Sequence, residues 1–146
     1  MTSLSEDYQA KSFQEKIDTE NQLLQNIEKK TNWSVVKKQH KGSLIDFANA
    51  EGEFLQLYTD YRMLQTGNAW IEIDKLDNCK NQCKWWVTNK PKTLDMPEIL
   101  YVIETKKLQN ILGSGSFLIK SSPNGGRGWI IPEWQLIKIA DQTIHF

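Results

Sequence analysis

Cysteine is scarce in this chain: 146 residues contain two, Cys79 and Cys83. That excludes the disulfide framework of a small secreted protein, so a buried core must hold the fold. Histidine is equally rare, with only His40 and His145. A four-ligand zinc site is hard to assemble from this set, and two reduced thiols are expected. No apolar run is long enough for a membrane span or a signal peptide, which points to a cytoplasmic protein with no membrane partner. Net charge is missing as well, since Lys plus Arg and Asp plus Glu are 18 each. The balance gives no whole-molecule pull toward nucleic acid and disfavours a negatively charged DNA mimic. Local charge must carry any such contact. No internal repeat stands out.

What is present fits one domain. Residues 1–12 are polar with scattered apolar side chains and are expected to form a flexible N-terminal tail, leaving 13–146 as the domain. Phe13, Ile17, Leu24 and Ile27, with Leu23 alongside, recur near helical spacing and predict an amphipathic helix to about Lys30. Trp33 to Lys38 reads as a strand. After Asp74 the chain turns polar, and Asp77 to Lys84 suits a short helix or a loop. Trp85 to Val87 and Ile99 to Ile103 read as strands, and Thr105 as the N-cap of a helix over Lys106 to Leu112 that Gly113 ends. Phe117 to Lys120, a Gly-rich loop and Trp129 to Ile131 follow. These alternating signals predict a single α/β domain, with a mixed, mainly antiparallel sheet flanked by helices.

The stretch from Lys41 to Asp74 organises the chain. Two alternating runs around Asn49-Ala50-Glu51-Gly52 predict a β-hairpin. Parity puts Leu44 with Asp46, and Phe54 with Gln56, Tyr58 and Asp60. An acid on one strand then lies across from a polar pair on the next, the skeleton of a two-strand metal site. The strands at Trp33, Leu44, Phe54 and Trp70 are expected in one sheet, with the long helix on one face.

The order of helix, strand, Asp-bearing strand and hairpin, followed by Thr59-Asp60-Tyr61-Arg62, Thr66-Gly67-Asn68 and an apolar run ending in Glu72, resembles the PD-(D/E)XK nuclease superfamily. Its small phage and mobile-element members are the closest echo, and the likeness runs from about Phe13 to Trp134. The resemblance implies a restriction-endonuclease-like core and metal-dependent phosphodiester hydrolysis, in which Mg²⁺ polarises the phosphate and activates a water. It also implies a nucleic-acid or host-protein partner, a homodimer because one site cuts one strand, and a host-cell cytoplasmic setting for a phage-encoded chain. Carried over residue by residue, Asp46 matches the family's Asp and Glu20 its helical acid, both as metal ligands. Gln56 and Tyr58 fall where the family has Glu-x-Lys. There the sequence departs from the pattern: Gln is neutral and Tyr carries no cation, which points toward reduced or absent turnover. The alternative is therefore an inactive nuclease fold that binds nucleic acid or a host protein.

A rival site uses Asp60, Glu72 and Asp74, the last two on one strand face, with Lys75 or Lys84 as the cation. For phosphate contact the candidates are Lys37, Lys38, Lys41, Arg62, Lys84 and Arg127, the last in the Gly-rich loop. Against each stands a plainer role: solvated strand edges for the acids, a solvated face for the lysines, a hairpin tip for the loop. Trp70, Trp85 and Trp86 would stack on bases only if exposed.

Overall fold

A computed structural model describes residues 13–38 and 42–146; for Phe13, Gln14, Lys16 and Ile17 only the backbone is described. The tail at 1–12, and Lys41 among the phosphate candidates, lie outside these residues. The chain runs α1 (Phe13–Lys30), β1 (Ser34–Val35), β2 (Phe47–Ala48), β3 (Phe54–Thr59), α2 (Met63–Thr66), β4 (Asn68–Glu72), α3 (Ile73–Cys79), β5 (Trp85–Lys90), β6 (Ile99–Glu104), α4 (Thr105–Leu112), β7 (Leu118–Ser121), β8 (Arg127–Pro132), α5 (Glu133–Ile139) and β9 (Gln142–His145). Among them no helix is long and apolar enough to cross a membrane.

Two sheets result, a mixed six-stranded one in the order β1-β2-β3-β5-β6-β9 and an antiparallel three-stranded one in the order β4-β8-β7. The class is α/β, as expected, but the Trp70 strand is not in the hairpin's sheet. The reason is edge availability. β3 pairs β2 on one side and β5, in parallel, on the other, and a parallel pair needs a long crossover between its strands. Residues 60–84 are that crossover, so β4 pairs β8 instead, with Trp70 opposite Ile130.

Pleat alternation divides the core. Leu55, Val87, Leu100 and Val102 face α1 and pack with Ile27, Trp33 and Phe47. Trp86, Tyr101 and Ile103 face the other way, onto Ala69, Ile71, Trp129 and Ile131 of the small sheet. Three helices close this second layer by one device. Ile71, Ile103 and Ile131 stand next to last in their strands, the last residue is extended and leads into the helix, and Leu76, Leu108 and Leu136 anchor that helix, all six 0% exposed. Truncating any of these Leu to Ala would cost about 2–5 kcal/mol. This spacing is a repeat within the chain, contrary to the expectation of none.

Other boundaries differ from expectation. The strand predicted over Trp33 to Lys38 shrinks to Ser34–Val35, because β2 offers only Phe47 and Ala48 to pair with. Thr105 is the first helical residue rather than the cap, and its hydroxyl donates to Cys83 O at 2.9 Å, tying α4 to the turn before β5.

Candidate functional site

Asp46 stands one residue before β2. Its N–H donates to Leu55 O at 2.9 Å, and it accepts the Val36 N–H at 2.9 Å, so extended pairing reaches past the strand's two residues. Phe47 is opposite Leu55. One further step puts Asp46 across from Gln56, on the face away from α1, with Tyr58 two residues along that face.

β2 is too short to pair the rest of β3, and Asp46 supplies the missing acceptor. Its Oδ2 accepts the Leu57 N–H at 2.7 Å. Its Oδ1 pairs with Lys38 Nζ at 3.1 Å, and that ammonium also donates to Ser43 O at 3.0 Å. Gln56 is buried, and among the described residues its Oε1 has no hydrogen-bond partner. Burial, then the nearby Asp60 and Glu72 carboxylates, push the Tyr58 phenol up to about 12. It therefore stays protonated at neutral pH. Lys75 Nζ lies 5.1 Å from the centroid of the Tyr58 ring, a cation–π distance.

A cavity of about 200 Å³ opens beside these groups, with Glu20, Leu24, Asp46, Tyr58, Tyr61 and Lys75 in its wall. The structure thus brings Glu20, Asp46 and Tyr58 to one cavity, while Gln56 does not line it. These residues do not fit a divalent cation well. The Asp46 charge is already met by Lys38, its second oxygen is held by a main-chain N–H, and the neighbouring acceptor is a neutral amide. Among the described residues no three His, Cys, Asp or Glu side chains gather in a way that could hold a metal.

The rival set is taken apart by the backbone. β4 ends at Glu72, and Asp74 lies in the first turn of α3, so the two do not share a strand face as expected. Asp60 is buried and works as a clasp: Oδ1 accepts the Met63 N–H at 3.1 Å and Oδ2 the Trp70 N–H at 2.8 Å. It starts α2 and ties the end of β3 to β4. Burial pushes its carboxyl up, against the pull of those N–H groups and of Arg62.

Of the phosphate candidates, Lys38 is paired with Asp46 and Lys84 with Glu53 at 2.7 Å. Lys37 is exposed after β1, Arg62 is exposed at the start of α2, and Arg127 is exposed at the start of β8. Trp70 is half-buried, lying over Gly128, and Trp86 is fully buried, which removes Trp86 as a stacking platform. Cys79 and Cys83 are free and buried.

Lys75, which strand parity groups with the rival acids, lines the Asp46 cavity instead. The signal was there in Ile73, Leu76 and Cys79, whose three-residue spacing is helical and turns the chain out of strand parity before Lys75. No protein-family model matches this chain, and no curated protein is found to be similar to it.

Proposed function

We propose that this chain is a nuclease-like protein, with a core of the PD-(D/E)XK type, whose site has been converted from cutting to binding. The observation that carries this is the state of Asp46: both carboxylate oxygens are engaged, one by Lys38 and one by the Leu57 N–H. A carboxylate so held is poorly placed to gather a hard cation, and the adjoining Gln56 adds no charge. The order of helix, three antiparallel strands with the acid entering the second, and a parallel partner for the third supports the nuclease-type core.

A second reading, residual metal-dependent cleavage, is favoured by one observation, the meeting of Glu20, Asp46 and Lys75 around a single cavity. Incubation with plasmid and with single-stranded DNA and RNA in Mg²⁺ or Mn²⁺ separates the two. The binding reading expects no cleavage by the unmodified chain, and metal-dependent cleavage gained on combining Gln56→Glu with Tyr58→Lys. Cleavage by the unmodified chain that Asp46→Ala abolishes would overturn it.

A further inference from the structure

Two nucleophilic groups that neither candidate site uses lie side by side. Cys79 ends α3 and Cys83 stands in the turn before β5, and both thiols are free and buried. They are the chain's only cysteines. The Cys83 N–H donates to Cys79 O at 2.7 Å, the bond of a helical turn carried past the end of α3. Such a turn sets the two Cα atoms about 6 Å apart with both side chains on one face. A disulfide spans Cα separations of about 4.4–6.8 Å. The thiols already meet. The Cys79 S–H donates to Cys83 Sγ, which holds the Cys83 thiol below its ordinary value, and the Cys83 S–H donates onward to Leu44 O at 3.8 Å.

What hangs on that turn is the segment leading into Asp46. Among the described residues, Gly42 to Ile45 make no backbone-to-backbone hydrogen bond, and side chains hold them instead. The Leu44 N–H donates to Gln82 Oε1 at 2.8 Å, Gln82 Nε2 to Gly42 O at 3.4 Å, and Lys38 Nζ to Ser43 O at 3.0 Å. With the Cys83 thiol, three of these four bonds come from Gln82 and Cys83, inside the span that a bridge from Cys79 to Cys83 would close. The backbone at Cys83 is itself pinned, since its carbonyl accepts the Thr105 hydroxyl at 2.9 Å. Bridge formation therefore turns the Cys83 side chain toward Cys79 and takes its S–H away from Leu44 O.

We propose that Cys79 and Cys83 form an exchange site for a low-molecular-weight disulfide of the glutathione type, and that closing their bridge loosens the Gly42 to Asp46 segment. Cys83 attacks first, being 3% exposed against 0% for Cys79 and lying in irregular backbone where local opening admits the reagent. Its thiolate bonds to one sulfur of the reagent while the other sulfur leaves as a thiolate. The Cys79 thiolate then displaces the bound half, so two protein thiols become one disulfide and the reagent is reduced to two thiols. Binding or cutting of nucleic acid has no part in this step, so it can be tested whichever way the cleavage assay falls.

Incubation of the full chain with glutathione disulfide, followed by mass spectrometry and by thiol titration in denaturant, reads the chemistry. The expected product has lost two hydrogens, carries no glutathione and shows no free thiol, and dithiothreitol restores the starting chain. Cys79→Ala should instead stop at a stable glutathione adduct on Cys83, while Cys83→Ala should react about tenfold more slowly or less. Amide exchange followed by NMR reads the consequence. Closing the bridge should speed exchange at Leu44 and Asp46 about tenfold or more, with the buried Leu100 and Val102 unchanged. A folded chain that keeps both thiols under conditions that oxidise its urea-unfolded form would overturn the proposal. So would equally fast reaction of Cys79 in the Cys83→Ala variant, or a bridge that leaves the Leu44 and Asp46 amides as they were.

Discussion

Gln56 offers a measurement that separates a structural amide from the remnant of a site. The residue is 2% exposed, and Oε1 meets no donor among the described residues. An unpaired buried acceptor costs about 1–3 kcal/mol. Met has a similar length and reach with no oxygen to satisfy, so Gln56→Met should raise stability by about 1–2 kcal/mol once minor repacking is subtracted. For a domain of this size that is a rise in Tm of about 2–8 °C. A urea titration should show a higher midpoint with an unchanged slope, the mark of altered stability rather than of an altered unfolded state. Gln56→Glu should do the opposite, because it adds a second carboxylate beside Asp46 in a buried place. Burial raises such a group's folded pKa, so the penalty is absent at low pH and grows as pH rises through that value. A Gln56→Met variant less stable than the parent by about 1 kcal/mol or more would mean that Oε1 is bonded in solution, and the reasoning would fail.

Three other perturbations test the frame around the site. Asp60→Ala leaves the Met63 and Trp70 N–H groups without their acceptor and should cost about 2–4 kcal/mol by chemical denaturation, with Asp60→Asn milder because it keeps one acceptor; a neutral Asp60→Ala would deny the clasp. At Gly128 an added Cβ would lie 2.6 Å from Trp70 Cζ2, so Gly128→Ala should destabilise by about 1–3 kcal/mol, and by much less in a Trp70→Ala background. Equal costs in both backgrounds would show that the ring does not cover the glycine. Burial alone would raise the Glu133 pKa, but Lys90 Nζ at 2.8 Å and the Tyr101 hydroxyl at 2.6 Å hold it below its ordinary value. Its contribution is therefore complete above the unfolded carboxylate value and is lost as pH falls through the folded one, so Glu133→Gln should flatten the acid side of the stability profile; an unchanged acid side would refute the pairing.

Much of the fold could be seen in residue order, for physical reasons that differ by element. The α1 stripe declares itself by one helical periodicity and one layer to pack on, and the β5 and β6 runs by unbroken burial, since their alternate residues serve the layers on both faces of the sheet. The division into two sheets does not, since Trp70-Ile71-Glu72 is an ordinary alternating strand whose partner lies some sixty residues on, at β8. Only knowing that β5 takes the free side of β3 sends β4 elsewhere. The repeated spacing of Ile and Leu was open to view, as Ile71 and Leu76, Ile103 and Leu108, Ile131 and Leu136. It escapes notice because the residues between differ, including Pro132 where the other two copies have Glu72 and Glu104. What those positions share is backbone shape, with ψ of 132°, 130° and 142°. Backbone shape of this kind is only weakly dictated by residue type.

The site is harder to read, and Asp46 shows why. Residue type and hairpin parity were enough to place it across from Gln56, because both follow from a period of two and one turn. Neither could tell which charge its carboxylate would meet. Lys38 is one of several lysines near the first strand, and on sequence alone it suits a phosphate as well as it suits a carboxylate. The choice is made by the return of the chain between Val36 and Asp46, where the Val36 N–H bonds Asp46 O and brings the Lys38 ammonium within 3.1 Å of Oδ1. Screening weakens this pair less than a fully exposed one, since its carboxylate is buried while the Lys38 side chain is half-exposed. The same geometry that makes Asp46 look catalytic from its neighbours in sequence therefore lowers its appetite for a metal. Lys38→Ala should accordingly leave a buried carboxylate without its counter-charge, destabilise the chain, and make that loss partly recoverable by added Mg²⁺ or Mn²⁺. If divalent ions stabilise the unmodified chain as strongly as the variant, Lys38 is not what stands between Asp46 and a cation.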